Sequence, residues 1–162
     1  MQLLREHDGR CYWVLRLAQS GLPSTLFQGK PYPCLIWNHE DAPPSSDLAR
    51  TLIKSGCRYA VCGGFASGAL EAVVDQAFLS EFGTDETTWG RNFVMTTAHA
   101  NESPDDVAHF FVLNTNFEEH EFTDYLVVHI GDGPVANAVD AAVWRYAGPT
   151  RPNNSLERGS DI

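Results

Sequence analysis

From Pro33 onward, apolar residues follow two alternating rhythms. Short runs rich in β-type residues, "CLIWN" (34–38), "RYAVC" (58–62), "NFVMTT" (92–97) and "YLVVHI" (125–130), predict strands. Between them, apolar positions recur every three or four residues, which predicts helices. "SSDLARTLIKSG" has a serine to cap its first turn, Leu48, Leu52 and Ile53 on one face, and Gly56 as its stop. Leu70, Val73, Val74, Ala77, Phe78 and Phe82 line one face of a second helix, with Glu71, Asp75 and Glu81 elsewhere. Ser103-Pro104-Asp105-Asp106 opens a third with a capping hydroxyl, a proline at the first helical position and acids in the first turn. Val107, Phe110 and Phe111 face inward from it. Gly133-Pro134 opens an alanine-rich fourth helix running to about Tyr146, and Gly148-Pro149 ends it.

Strand–helix units in succession predict an α/β fold, a three-layer sandwich with a mainly parallel sheet of four to five strands and helices on both faces. Right-handed crossovers make it flavodoxin-like or Rossmann-like. Residues 1–32 read as an N-terminal segment in which "CYWVLRLA" is a possible edge strand, 33–148 as a single α/β domain, and 149–162 as a flexible polar tail.

Charge adds to this picture. The 162 residues carry a net charge of −10, unevenly distributed. Residues 1–50 hold five acids and five bases, whereas from Tyr59 to Trp144 there are fourteen acids and one base, Arg91. Such a field repels nucleic acid and anionic membranes and attracts basic partners. A solvated acidic surface that recognises nothing has the same composition. No apolar stretch approaches the roughly 18 residues of a membrane helix, and no secretory leader is apparent, so the expected location is cytoplasmic. Cys11, Cys34, Cys57 and Cys62 lack the CxxC spacing of a zinc site and are expected as reduced thiols.

Ligands of parallel sheets bind beyond the carboxyl ends of the strands. Those ends carry Asn38, His39, Glu40 and Asp41; then Cys62, Gly63 and Gly64; then Thr96, Thr97, His99 and Glu102; and finally Gly131 and Asp132. His39, Gly63, Gly64, Thr97, His99 and Asp132 are therefore the candidate ligand-binding residues. Cys62, at a strand–turn–helix junction, is a candidate nucleophile, with His99 as base and Glu102 orienting it. Each has a plainer explanation. Gly63, Gly64 and Gly68 match neither the dinucleotide fingerprint nor a Walker loop, and a tight turn accounts for them. A buried cysteine needs no chemistry, and His99 with Glu102 can be a hydrogen-bonded loop clasp. His39, Glu40, Asp41, His99 and Asp132 are acceptable metal ligands but show no fixed spacing, so neither a metal nor a cofactor is expected. His129, inside the fourth strand, reads as a satisfied core or edge histidine.

"YAVCGG", "VMTTAH" with Glu102, "DDVAHFFVLNTNF" and "YLVVHIGDG" together resemble an uncharacterised bacterial family, a domain of unknown function. In its pattern a strand ends in Met-Thr-Thr-Trp-His, an acidic loop follows, and a helix ends in Phe-Phe and an Asn-Thr pair. The resemblance covers about residues 33–132. Met95, Thr96, Thr97, His99, Glu102, Phe110, Phe111, Asn114 and Thr115 match, and Ala98 departs from the tryptophan. It implies an α/β fold and a bacterial origin, and no activity.

Two classes of function follow. The first is an acidic binding protein without catalysis, an immunity or antitoxin-like inhibitor of a basic protein partner. Its contacts would come from Asp85, Glu86, Glu118, Glu119, Glu121 and Asp124, with Phe117 and Phe122 as aromatic anchors. The second is a small enzyme or ligand-sensing domain using the strand-end cleft with Cys62, His39, His99 and Glu102.

Overall fold

The computed structural model describes residues 1–17, 21–41, 45–117 and 120–149. The tail from residue 150 and the acids Glu118 and Glu119 lie outside the described residues. Six strands form one sheet: β1 (Gln2–His7), β2 (Arg10–Leu17), β3 (Tyr32–Asn38), β4 (Cys57–Gly64), β5 (Met95–Ala98) and β6 (Asp124–Ile130). Their order is β1-β2-β6-β3-β4-β5. All neighbours are parallel except β1 and β2, which form an antiparallel hairpin.

The fold is the expected α/β sandwich, with six strands rather than four or five. Both hairpin strands lie in the segment before residue 33. The segment "CYWVLRLA" supplies β2, but β1 pairs outside it and forms the edge. The turn joining them is Asp8-Gly9, both with positive φ (51° and 74°), the geometry of a two-residue turn whose twist matches the strands.

Four helices cover the sheet: α1 (Ser46–Ser55), α2 (Ser67–Phe82), α3 (Pro104–Leu113) and α4 (Ala136–Tyr146). Capping explains the clearest boundaries. The Ser45 hydroxyl accepts from the Asp47 N–H and Gly56 closes α1 in the left-handed region; the Ser103 hydroxyl accepts from the Asp106 N–H and Pro104 starts α3. α1 and α2 pack over one face, with Leu52, Ile53, Leu70 and Val74 against Cys34, Ile36, Ala60 and Val128. α3 and α4 pack over the other, with Val107, Phe111, Val139 and Val143 against Leu35, Trp37, Val61 and Val127. Successive residues of β3 thus enter opposite layers, as a two-residue period requires. All seven are buried, which is why the strand reads as a continuous apolar run.

Two elements begin later than their sequence pattern. β5 starts at Met95, because Gly90–Asn92 form a one-turn helix and Phe93 stacks on Trp89. α4 starts at Ala136, after Gly133-Pro134-Val135 have made a turn.

Candidate functional site

The chain leaves β3 toward α1 on one face and leaves β6 toward α4 on the other. These two strands are neighbours, so their carboxyl ends diverge and leave a crevice, the place where parallel sheets bind ligands. His39 stands at this edge, immediately after β3, and its backbone N–H donates to the Ile130 carbonyl (3.0 Å). His129, one residue before the end of β6, points to the α4 side and is completely buried.

The two imidazoles are hydrogen-bonded, His39 Nε2 to His129 Nδ1 at 2.9 Å, with ring centroids 5.1 Å apart. His129 Nε2 bonds in turn to Asp140 Oδ1 on α4 at 2.8 Å. The second carboxylate oxygen of Asp140 is ion-paired with Arg16, which pairs with His129 across the β2–β6 ladder. A carboxylate can only accept, so His129 Nε2 carries a proton. In neutral His129 the Nδ1 lone pair then accepts from His39 Nε2–H, which leaves His39 Nδ1 bare. That nitrogen has no hydrogen-bond partner among the described residues.

The turn after β6 lies against it. A Cβ on Gly133 would lie 2.7 Å from His39 Nδ1, and one on Gly131 would lie 2.5 Å from the Glu40 side chain. The Gly131-Asp132-Gly133 turn therefore rests directly on His39 and Glu40, and only a glycine at 133 avoids a side chain against that nitrogen. Burial, followed by the neighbouring His129, lowers the pKa of His39 below its ordinary 6.5, with Asp132 and Asp140 opposing. His39 is thus held neutral and able to accept a proton near pH 7.

The other candidates are placed differently. His99 is 7 % exposed; its Nδ1 bonds to Glu102 (2.9 Å), its Nε2 to Thr97 (3.2 Å), and its ring packs on Phe110. Its backbone N–H donates to the Cys62 carbonyl. Both ring nitrogens are consumed within the loop, so His99, Glu102 and Thr97 form a clasp. Cys62 is fully buried beneath α2, and burial, together with Glu71 and Asp75, pushes its thiol pKa well up. A neutral thiol inside the core offers no nucleophile. Cys34 is likewise raised, and Cys57 is pushed up to about 12.

Gly63 and Gly64 answer to packing. A Cβ at 63 would lie 2.8 Å from the Trp37 ring, and one at 64, where φ is +81°, would lie 2.2 Å from the Asn38 carbonyl oxygen. Buried Asn38 ties the neighbouring loops, donating from Nδ2 to the Phe65 carbonyl (3.1 Å) and accepting from the Glu40 N–H (3.1 Å). The glycines let β3 and β4 approach at their ends; the backbone there is joined to Asn38 rather than presented to an anion. Among the described residues no group of three or more His, Cys, Asp or Glu side chains is arranged to hold a metal ion.

The proposed partner surface is rearranged as well. Phe117 and Phe122 are 9 % and 6 % exposed and belong to the core, against Tyr59, Phe93 and Tyr125. Asp124 accepts from the Trp13 indole N–H (3.0 Å), and Asp85 caps a one-turn helix by accepting from the Thr87 N–H and hydroxyl. Asp85, Glu86 and Glu121 remain exposed.

A family model described as a domain of unknown function (DUF7684) matches residues 12–145. The chain belongs to that family. No curated protein matches it, and neither does any solved structure. An uncharacterised family is what the resemblance implied, and the DUF7684 match is wider at both ends than residues 33–132. It takes in β2 and α4, and with them Arg16 and Asp140. No helix among the described residues is long and apolar enough to cross a membrane.

Proposed function

We propose that this DUF7684 domain is a small cytoplasmic ligand-binding domain with acid–base capability at the β3–β6 crevice. The bound molecule would carry an exchangeable O–H or N–H. The observation that carries this reading is the hydrogen-bonded chain from half-buried His39, through fully buried His129, to Asp140 and Arg16. A proton leaves the ligand for His39 Nδ1, and His39 Nε2–H is shared with or passed to His129 Nδ1. The imidazolium charge then lies against the Asp140 carboxylate, whose other oxygen Arg16 holds in place. Burial of a cation at His129 is tolerable only because that carboxylate is there.

The test is a thermal-shift screen of ionisable metabolites against the wild-type protein, His39→Ala and Gly133→Ala. Compounds that raise the wild-type Tm and lose their effect in both variants support the reading. Hits that persist unchanged in both would sink it, as would a screen in which nothing separates the three proteins.

The charge favours a second reading: an acidic protein without catalysis that binds a basic protein, in the manner of an immunity or antitoxin-like inhibitor. Its support is the excess of acids between Tyr59 and Trp144, with Asp85, Glu86 and Glu121 exposed. With Phe117 and Phe122 in the core, binding would rest on charge and fall steeply with salt. Retention of one basic protein from lysate at low salt and its release at high salt supports this; no salt-sensitive partner counts against it.

A further inference from the structure

At the far end of the sheet from the hairpin, β5 is an edge strand flanked by α2. Between them lies a hollow of ≈ 290 Å³ whose walls include Phe78, Trp89, Phe93 and Met95, with Asp75 and Thr96 as its polar members. The rings brace one another. Phe78 meets Trp89 and Phe93 edge-on, at interplanar angles of 73° and 89°, and Trp89 and Phe93 are stacked at 17°. The Trp89 indole N–H donates to the Gly83 carbonyl (3.0 Å), which fixes the largest wall. The hollow is therefore preformed, and it needs no rearrangement to receive a ligand.

Its charge is equally defined. Asp75 Oδ1 accepts from the Thr96 hydroxyl at 2.8 Å, and among the described residues no lysine or arginine is ion-paired with Asp75. Glu71 lies one helical turn earlier on the same side of α2, so two carboxylates share that face of the helix in a stretch, Tyr59 to Trp144, whose one basic residue is Arg91. An anion would be repelled here. A neutral apolar group would fill the space but leave the carboxylate without a counter-charge. A group both apolar and cationic satisfies both, since aromatic walls attract cations through their quadrupoles and the carboxylate adds direct attraction. The volume is small for a ligand pocket, which suits an ammonium head with a few carbons rather than a large molecule.

We propose that the hollow between α2 and β5, walled by Phe78, Trp89, Phe93 and Met95 and edged by Asp75, binds a small alkylammonium cation. The site is separate from the β3–β6 crevice and depends on neither reading given for the chain. Choline is the probe, and 3,3-dimethylbutan-1-ol is its neutral counterpart of nearly the same shape. Binding is followed by NMR on the indole N–H of Trp89 at constant ionic strength, in the full chain.

Choline should shift that resonance saturably, and the neutral alcohol should bind about tenfold more weakly or less. Asp75→Asn, at an exposed position that leaves the aromatic walls intact, should weaken choline by a similar factor while leaving the alcohol unchanged. Trp89→Leu, in which binding is followed on the backbone N–H of Thr96 instead, should abolish the preference for the cation, with Tm measured to confirm that the variant is folded. Equal binding of choline and the alcohol would show an apolar dent and overturn the proposal. So would no binding of either, or choline binding indifferent to Asp75→Asn.

Discussion

The domain holds two histidines at strand ends, and their ring nitrogens are engaged differently. At the end of β5, His99 spends one nitrogen on Glu102 and the other on Thr97, with its ring against Phe110. At the end of β3, beside β6, His39 spends one nitrogen on His129 and leaves the other against Gly133, where no side chain stands. A histidine–carboxylate pair is therefore not in itself a sign of chemistry. What separates a clasp from a proton acceptor is whether a nitrogen is left over, and whether the charge it would gain has somewhere to go. His99 has neither a spare nitrogen nor a buried relay. His39 has both.

This contrast predicts different responses to substitution, the largest at the buried end of the relay. His129→Ala removes a fully buried ring, opens a cavity in β6 and deprives one oxygen of Asp140 of its donor. A loss of about 3 kcal/mol in urea-induced unfolding is expected. His99→Ala breaks the clasp and should cost about 2 kcal/mol, while leaving the NMR titration of His39 where it was. A shifted His39 titration in that variant would mean that the two regions are coupled after all.

The pH response comes next. His39 binds its proton less readily in the folded chain than in the unfolded chain. The unfolded state therefore takes up more protons as pH falls below about 6.5, and stability declines until the pH passes below the folded-state value. Asp140 favours the protonated form, so Asp140→Asn should lower the His39 pKa further and extend the decline to lower pH. Denaturation midpoints measured between pH 7 and pH 4 check both statements. The smallest effect is expected at the open end: His39→Ala should cost no more than about 1 kcal/mol at pH 7 and flatten that pH dependence. A large loss of stability there would make His39 another clasp.

Local signals carried much of the fold. α1 and α3 announce themselves through Ser45, Gly56, Ser103 and Pro104, because caps are read from neighbouring residues. β3, β4 and β6 are apolar runs because the sheet is covered on both faces. β1 could have been found in the same way, since Asp8-Gly9 is a two-residue hairpin turn, but its polar, half-exposed residues hide the strand. The site divides similarly. His39 is marked by its place after a strand. Arg16, His129 and Asp140 share no spacing rule with it; they meet only because β6 lies between β2 and β3, and strand order is not written in local pattern. Phe117 and Phe122 stand among acids and suggest surface anchors, yet the loop folds back so that both pack on Tyr125 or Tyr59. Charge in the flanking residues says where water is, not which way an aromatic ring points.

The place of β6 has a consequence for how the chain comes together. As the polypeptide is made, β2 and β3 come early, but the strand that joins them comes only after α1, β4, α2, β5 and α3. Until residues 124–130 arrive, no strand pairing joins the hairpin to the β3–β4–β5 half, and β2 and β3 each show an unpaired edge. The last strand is a keystone. Assembly should therefore be late and all at once, with the unfinished halves open to self-association during synthesis. The same closing event brings Arg16, His39 and His129 together, and Asp140 joins them when α4 docks on the sheet.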